Sequence, residues 1–146
     1  MEKKTEIHNE WDSAFLQYFD NKKHKYKRDS SVIRRLGILN QKKELRILEL
    51  FCGKGECQEL LINNGCINIF GSDISETLVN KIRKDCRVMV CNSVNLSFKS
   101  NIFDVVFINE GLHHLKGEDE FSSCFSEIKR VLKNNGSFVF YEPANT

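Results

Sequence analysis

The sequence predicts an α/β fold, a doubly wound parallel sheet with helices on both faces, and three observations carry that expectation. Apolar runs of strand length alternate with segments of helical spacing from Leu45 onward, the first run ends in a glycine-containing turn, and Asp73 closes the second run about twenty residues further on. Parallel strands need crossover connections, and strand–helix alternation supplies them. Right-handed crossovers then place helices on both faces and ligands at the carboxyl ends of the strands.

The elements follow in order. LRILELF (Leu45 to Phe51) is a continuous apolar run too short for a buried helix, so it reads as a buried strand. ECQELLINN has helical spacing and stops at Gly65; CINIFGSD is a second strand, SETLVNKIRK a second helix and CRVMVC a third strand. NSVNLSFKSN carries turn chemistry, and FDVVFIN is a fourth strand. GEDEFSSCFSEIKRVLK forms a long helix through Phe121, Phe125, Ile128 and Leu132, with Asn135 and Gly136 closing it before the fifth strand, SFVFYE. Ahead of this unit, Trp11, Phe15, Leu16 and Phe19 have helical spacing, and Asp29, Ser30 or Ser31 can cap a second helix bearing Val32, Ile33 and Leu36 and ending at Gly37. The expected organisation is one compact domain, with residues 1–44 as a helical lid or cap and residues 45–146 as the core.

With 146 residues, 40% hydrophobic and 29% charged, the chain is in the ordinary globular class and can bury a core without disulfides or a structural metal. A net charge of +2 argues against a general electrostatic grip on nucleic acid. The beginning of the chain lacks the apolar core of a signal peptide and no run is long enough to cross a bilayer, so the expected location is cytoplasmic. Cys52, Cys57, Cys66, Cys86, Cys91 and Cys124 form no CxxC pair and are expected to be buried free thiols, with no metal site.

Chemistry concentrates at the strand ends. In ELFCGKGE, Gly53 and Gly55 let the backbone turn tightly and approach a ligand. Asp73 can accept hydrogen bonds from the two hydroxyls of a ribose; its alternative is a helix N-cap, and the roles are compatible. Together these features indicate an adenosine-containing cofactor. Gln58 stands where a dinucleotide fingerprint needs its third glycine, and no Gly-Lys-Ser/Thr follows the first strand, so nicotinamide binding and a phosphate-cradling loop are both disfavoured.

ILELFCGKG, GSDIS, CNSVNLSF and FDVVFINEGLHHL, in that order, resemble the motifs of class I S-adenosylmethionine-dependent methyltransferases, particularly their small-molecule branch, type 11, over Leu45 to Pro143. The resemblance implies a Rossmann-like core in which Glu49 and the turn Phe51, Cys52, Gly53 to Gly55 hold the methionine part of S-adenosylmethionine. It implies further that Asp73 holds the ribose, Ile74 flanks the adenine, Asn92 and Ser93 lie at the adenine edge, and Asn109 lies near the methionine ammonium. Two residues depart from the pattern. Phe51 occupies a position that is most often glycine, which implies a smaller pocket or a displaced turn. Asn92 replaces the usual aspartate, so its hydrogen bond to the adenine amine lacks charge assistance and weaker cofactor binding is expected.

Methyl transfer requires in-line positioning, and a base only where the acceptor must lose a proton. His113 and His114 are the candidate catalytic residues; the alternative is that one bonds backbone groups at a helix start while the other is solvated. Tyr18 is the candidate acceptor-binding residue, set against simple packing of the aromatic stripe. The Asp/Asn-Pro-Pro-aromatic turn of base-amine methyltransferases is replaced by NEGL. The basic run Lys22 to Arg28, with Tyr26, can contact phosphate or stack on a base, or be a solvated connection.

By the same resemblance the usual sixth and seventh strands are missing after SFVFYE, leaving an apolar edge that a second copy or a protein partner would cover. The expected function is methyl transfer to an O, N or C atom of a small-molecule acceptor, with no membrane partner. The alternatives are a catalytically weak cofactor-binding module acting with a partner, and a tRNA or other nucleic-acid methyltransferase.

Overall fold

Period-two alternation in the central strands decides which side chains meet which helix. The structure, a computed structural model, describes residues 31–144. The expected helix at Trp11 to Phe19 with Tyr18, the basic run Lys22 to Arg28 and the capping positions Asp29 and Ser30 lie outside the described residues. Five strands, β1 (Ile47–Leu50), β2 (Ile69–Asp73), β3 (Arg87–Val90), β4 (Phe103–Asn109) and β5 (Leu132–Tyr141), form one sheet in the order β3-β2-β1-β4-β5. Every neighbouring pair is parallel. The chain starts in the middle, builds outward to β3 and then crosses to β4, so the order reverses between β1 and β4, where open α/β sheets bind ligands.

The helices are α1 (Glu56–Asn63), α2 (Glu76–Val79) and α3 (Gly117–Val131). On one face Ile47, Ile69, Val105 and Phe107 pack with Cys57 and Leu61 of α1 and with Ile33 and Ile38. On the other, Leu48, Leu50, Val106 and Ile108 pack with Cys124, Ile128 and Val131 of α3 and with Leu96. Adjacent residues of one strand thus belong to different cores, as the pleat requires. Residues 31–35 are helical and Gly37 closes them with φ 71, as expected; Val32 and Ile33 are buried in the same layer as α1.

Two elements depart from expectation. The second helix, expected over Ser75 to Lys84, is a single turn, α2, capped by Ser75, whose Oγ accepts from Leu78 N at 3.2 Å. Beyond it isolated turns such as Cys86 N to Arg83 O, 3.0 Å, replace the helix, because only Leu78 is buried in it. The third helix ends at Val131 rather than near Asn135 and Gly136, because β5 already pairs there, Leu132 against Phe103. Gly136 instead lies in a bulge of β5 before Ser137, where a Cβ would come within 2.8 Å of Leu132 Cδ2 and 3.0 Å of Lys133 O.

All six cysteines are free. Cys52, Cys57, Cys66 and Cys124 are buried as expected, whereas Cys86 and Cys91 are only half-buried because they flank β3, an edge strand. Among the described residues no helix is long and apolar enough to cross a membrane, and no group of His, Cys, Asp or Glu could hold a metal ion.

Candidate functional site

The glycine turn forms because β1 must reverse into α1 within a few residues. Phe51, Gly53 and Gly55 all have left-handed backbone, φ 56, 55 and 77. Glycine adopts this at no steric cost, but at Phe51 it costs on the order of 1–3 kcal/mol. The glycine preference at that position in the resembled family therefore has a backbone cause. The Phe51 ring is accommodated by Gly111, where a Cβ would lie 2.5 Å from Cγ and Cδ2 of the ring.

Asp73 joins the turn to β2. Its Oδ2 accepts from Gly53 N at 2.8 Å and its Oδ1 from Ser75 N at 2.9 Å, so one carboxylate spans the ends of two neighbouring strands. The N-cap of α2 is Ser75, which leaves Asp73 the bridging role. Beneath the turn Glu49 is buried, and Gln58 Nε2 donates to its Oε2 at 2.8 Å and to Phe70 O at 3.3 Å. Gln58 is fully buried where a dinucleotide site would need glycine, and its part in holding Glu49 was missed because α1 and β1 are apposed only in the fold. Burial pushes the Cys52 thiol well up, and the charges of Glu49, Asp73 and Glu56 push it further. Two carboxylates, Glu49 and Asp73, thus stand close to Cys52 under the turn.

Ile74, half-buried, follows Asp73 directly. Across β3, Asn92 is exposed and its Oδ1 accepts from Val94 N at 3.1 Å, while Ser93 is buried. This loop is held from α3, a contact the sequence did not signal. Arg130 donates to Phe98 O at 2.8 Å, Leu96 O at 3.0 Å and Ser100 Oγ at 3.2 Å, and pairs with Glu127 through Nε and Nη2. Glu127 Oε2 also accepts from Leu96 N at 2.7 Å, and the Arg130 hydrogen bond holds the Glu127 carboxyl below its ordinary range.

Asn109 closes β4, its Nδ2 donating to Cys57 Sγ of α1 at 3.4 Å. His113 and His114 follow on the 3-10 turn Leu112–His114 with ring centroids 4.1 Å apart. His114 faces Phe51 at 6.1 Å; burial, with His113 adding to it and Glu142 opposing, lowers its pKa to about 4. His113 is exposed and its Nδ1 lies 2.8 Å from Glu142 Oε2. Glu142 Oε1 accepts from both Gly111 N and Leu112 N. Sequence reasoning missed Glu142, which stands 29 residues from His113 in the chain. Glu49, the glycine turn, Asp73, Asn109 and both histidines thus gather at the carboxyl ends of β1, β2 and β4.

The acceptor set suits a cationic ligand rich in hydrogen-bond donors. Buried and half-buried carboxylates at Glu49 and Asp73 can accept from an ammonium or from hydroxyls.

Residues 48–140 match the profile of the family described as Methyltransferase domain. "Probable tRNA methyltransferase 9B" of Mus musculus is 28% identical over 105 residues, 71% of this chain and 23% of that protein. The crystal structure of PH0226 protein from Pyrococcus horikoshii OT3 superposes with a TM-score of 0.73 at 28% identity, covering 85% of this chain and 65% of that one. Geranyl diphosphate C-methyltransferase from Streptomyces coelicolor A3(2), solved with S-adenosyl-L-homocysteine, shares the fold with a TM-score of 0.64 at 20% identity, over 76% of this chain and 43% of that one. The chain spans 23% of the mouse protein and 65% of the Pyrococcus one.

Proposed function

The chain belongs to the methyltransferase domain family, whose profile covers residues 48–140, and from that membership we propose that it transfers the methyl group of S-adenosylmethionine to an oxygen, nitrogen or carbon atom of a small-molecule acceptor. The observation that carries the reading is the Asp73 carboxylate bonded to Gly53 N at 2.8 Å, which locks an acidic strand end against a left-handed glycine turn. When bound, S-adenosylmethionine supplies an electrophilic methyl carbon whose bond to sulfur breaks with the electron pair remaining on sulfur.

In this reading the turn Phe51 to Gly55 and Glu49 bind the methionine part, with Cys52 lining the turn, and Asn109 faces the ammonium. Asp73 orients the ribose, Ile74 covers one side of the adenine, and Asn92 and Ser93 meet its edge. His113 and His114 act at the acceptor side. Gln58 and the Arg130 clamp position Glu49 and the adenine loop.

Isothermal calorimetry with S-adenosylhomocysteine tests the proposal. Saturable binding is expected, weakened roughly a hundredfold in Asp73→Ala because two hydrogen bonds to a charged acceptor are lost. Undiminished binding in that variant overturns the site, and no binding by folded wild-type protein overturns the cofactor.

A tRNA acceptor is the second reading, favoured by the match to a protein named as a probable tRNA methyltransferase. It requires tRNA affinity that falls steeply with salt.

A further inference from the structure

We propose that Glu142 is the positioning residue of a proton-accepting pair with His113, and that the acceptor's attacking atom therefore arrives bearing a proton, as an O–H or N–H group. The inference rests on the methyltransferase reading and deepens it by separating the two histidines and naming the acceptor chemistry.

The argument starts from what each oxygen of Glu142 does. One takes two backbone N–H groups, Gly111 and Leu112, and so is pinned to the turn that carries His113. The other is 2.8 Å from His113 Nδ1. An ionised carboxylate only accepts, so this bond places a proton on Nδ1. In the neutral ring Nε2 then keeps its lone pair and is the acceptor, a choice that a solvated imidazole does not make by itself. The Glu142 side chain is 19% exposed and that of His113 54%, so the anchor is sheltered while the ring reaches solvent at the strand ends.

His114 completes the arrangement. Half-buried against Phe51, with its pKa lowered to about 4, it stays neutral near pH 7 and adds no positive charge 4.1 Å from the His113 ring. An acceptor O–H or N–H gives its proton to Nε2 of His113 as its own electron pair bonds the methyl carbon and the carbon–sulfur pair stays on the departing sulfur. The imidazolium that forms is paired with the Glu142 carboxylate. An acceptor already lacking that proton, such as a thioether, gains nothing from the pair.

Glu142→Gln distinguishes positioning from structure. The glutamine oxygen can still accept from Gly111 and Leu112, but its NH2 now faces Nδ1 and requires a lone pair there, which forces the proton onto Nε2. In 15N-histidine-labelled protein, long-range 1H–15N NMR on the neutral ring is expected to show the Nδ1–H form in wild type and the Nε2–H form in Glu142→Gln. S-adenosylhomocysteine affinity should stay within about twofold, and methyl transfer to O–H or N–H acceptors should fall by about 10²–10⁴. A wild-type ring in the Nε2–H form overturns the proposal without any variant, as does a variant with full activity. Failure to bind S-adenosylhomocysteine instead removes the methyltransferase reading and leaves the NMR result standing.

Discussion

Two strand tips of this sheet are held by the same device with different outcomes. At the tip of β2, Asp73 takes backbone N–H groups from Gly53 and Ser75, one on each oxygen. At the tip of β5, Glu142 takes two backbone N–H groups on one oxygen and gives the other to a histidine ring. The first carboxylate is oriented by the main chain and, in the proposed function, is a fixed binding group. The second transmits its orientation and charge to a titratable side chain. A carboxylate that staples a turn is therefore structural or chemical according to where its second oxygen points.

The tips also touch, through Phe51, which packs on Gly111 and faces His114. Gly111→Ala tests that coupling most severely. A methyl 2.5 Å from ring atoms forces Phe51 aside and should cost about 3 kcal/mol in urea unfolding, with weaker S-adenosylhomocysteine binding. Adding Phe51→Gly should restore at least half of the loss, since it removes the clash and the left-handed phenylalanine together; simple additivity of the two changes would separate the tips.

Arg130→Ala acts on the loop after β3, beside the first tip, and leaves the second untouched. Losing the guanidinium bonds to Leu96 O, Phe98 O and Glu127 should cost about 2 kcal/mol and loosen the loop of Asn92 and Ser93, while the His113 tautomer stays unchanged. Hydrogen exchange at residues 92–101 reads the first effect, NMR the second.

The second tip alone should respond to acid through His114. Its folded pKa, about 4, lies below the unfolded value near 6.5, so the unfolded chain binds the proton first. The stabilising contribution of the neutral ring is complete above about pH 6.5 and is lost as pH falls towards 4, on the order of 1–2 kcal/mol after allowance for partial exposure. In His114→Asn, thermal melts between pH 7 and 4 should show a correspondingly shallower decline; an unchanged slope would sink the assignment.

Phe140→Ser, at a side chain 51% exposed on β5 two residues before Glu142, should change unfolding free energy by less than about 0.5 kcal/mol. A larger loss would show that the second tip depends on the aromatic stack of Phe138 and Phe140.

Legibility followed distance along the chain. The glycine turn and Asp73 were readable because each lies at the end of its own apolar run, and their separation of 20 residues is one strand–helix–strand unit. The His113 and His114 pair was readable as residue types after a strand, but the different surroundings of the two rings were not. His113 meets Glu142, brought alongside by the pairing of Asn109 with Tyr141, and His114 meets Phe51. Gln58 was legible as a missing glycine and not as a donor to Glu49. The length of α2 was misjudged because helical spacing continued past Val79, where the backbone breaks into isolated turns although Ile82 still packs on Gly55.

The sequence by itself determined the parallel α/β architecture, with helices on both faces, and the glycine–aspartate end of the candidate site. Those features arise from local periodicity and backbone freedom, which residue order carries directly. Only the tertiary structure decided that Glu142 meets His113, that Arg130 clamps the loop after β3 and that Phe51 bridges the two tips. Each joins segments 29 or more residues apart, and such meetings are set by strand register and helix placement rather than by spacing along the chain.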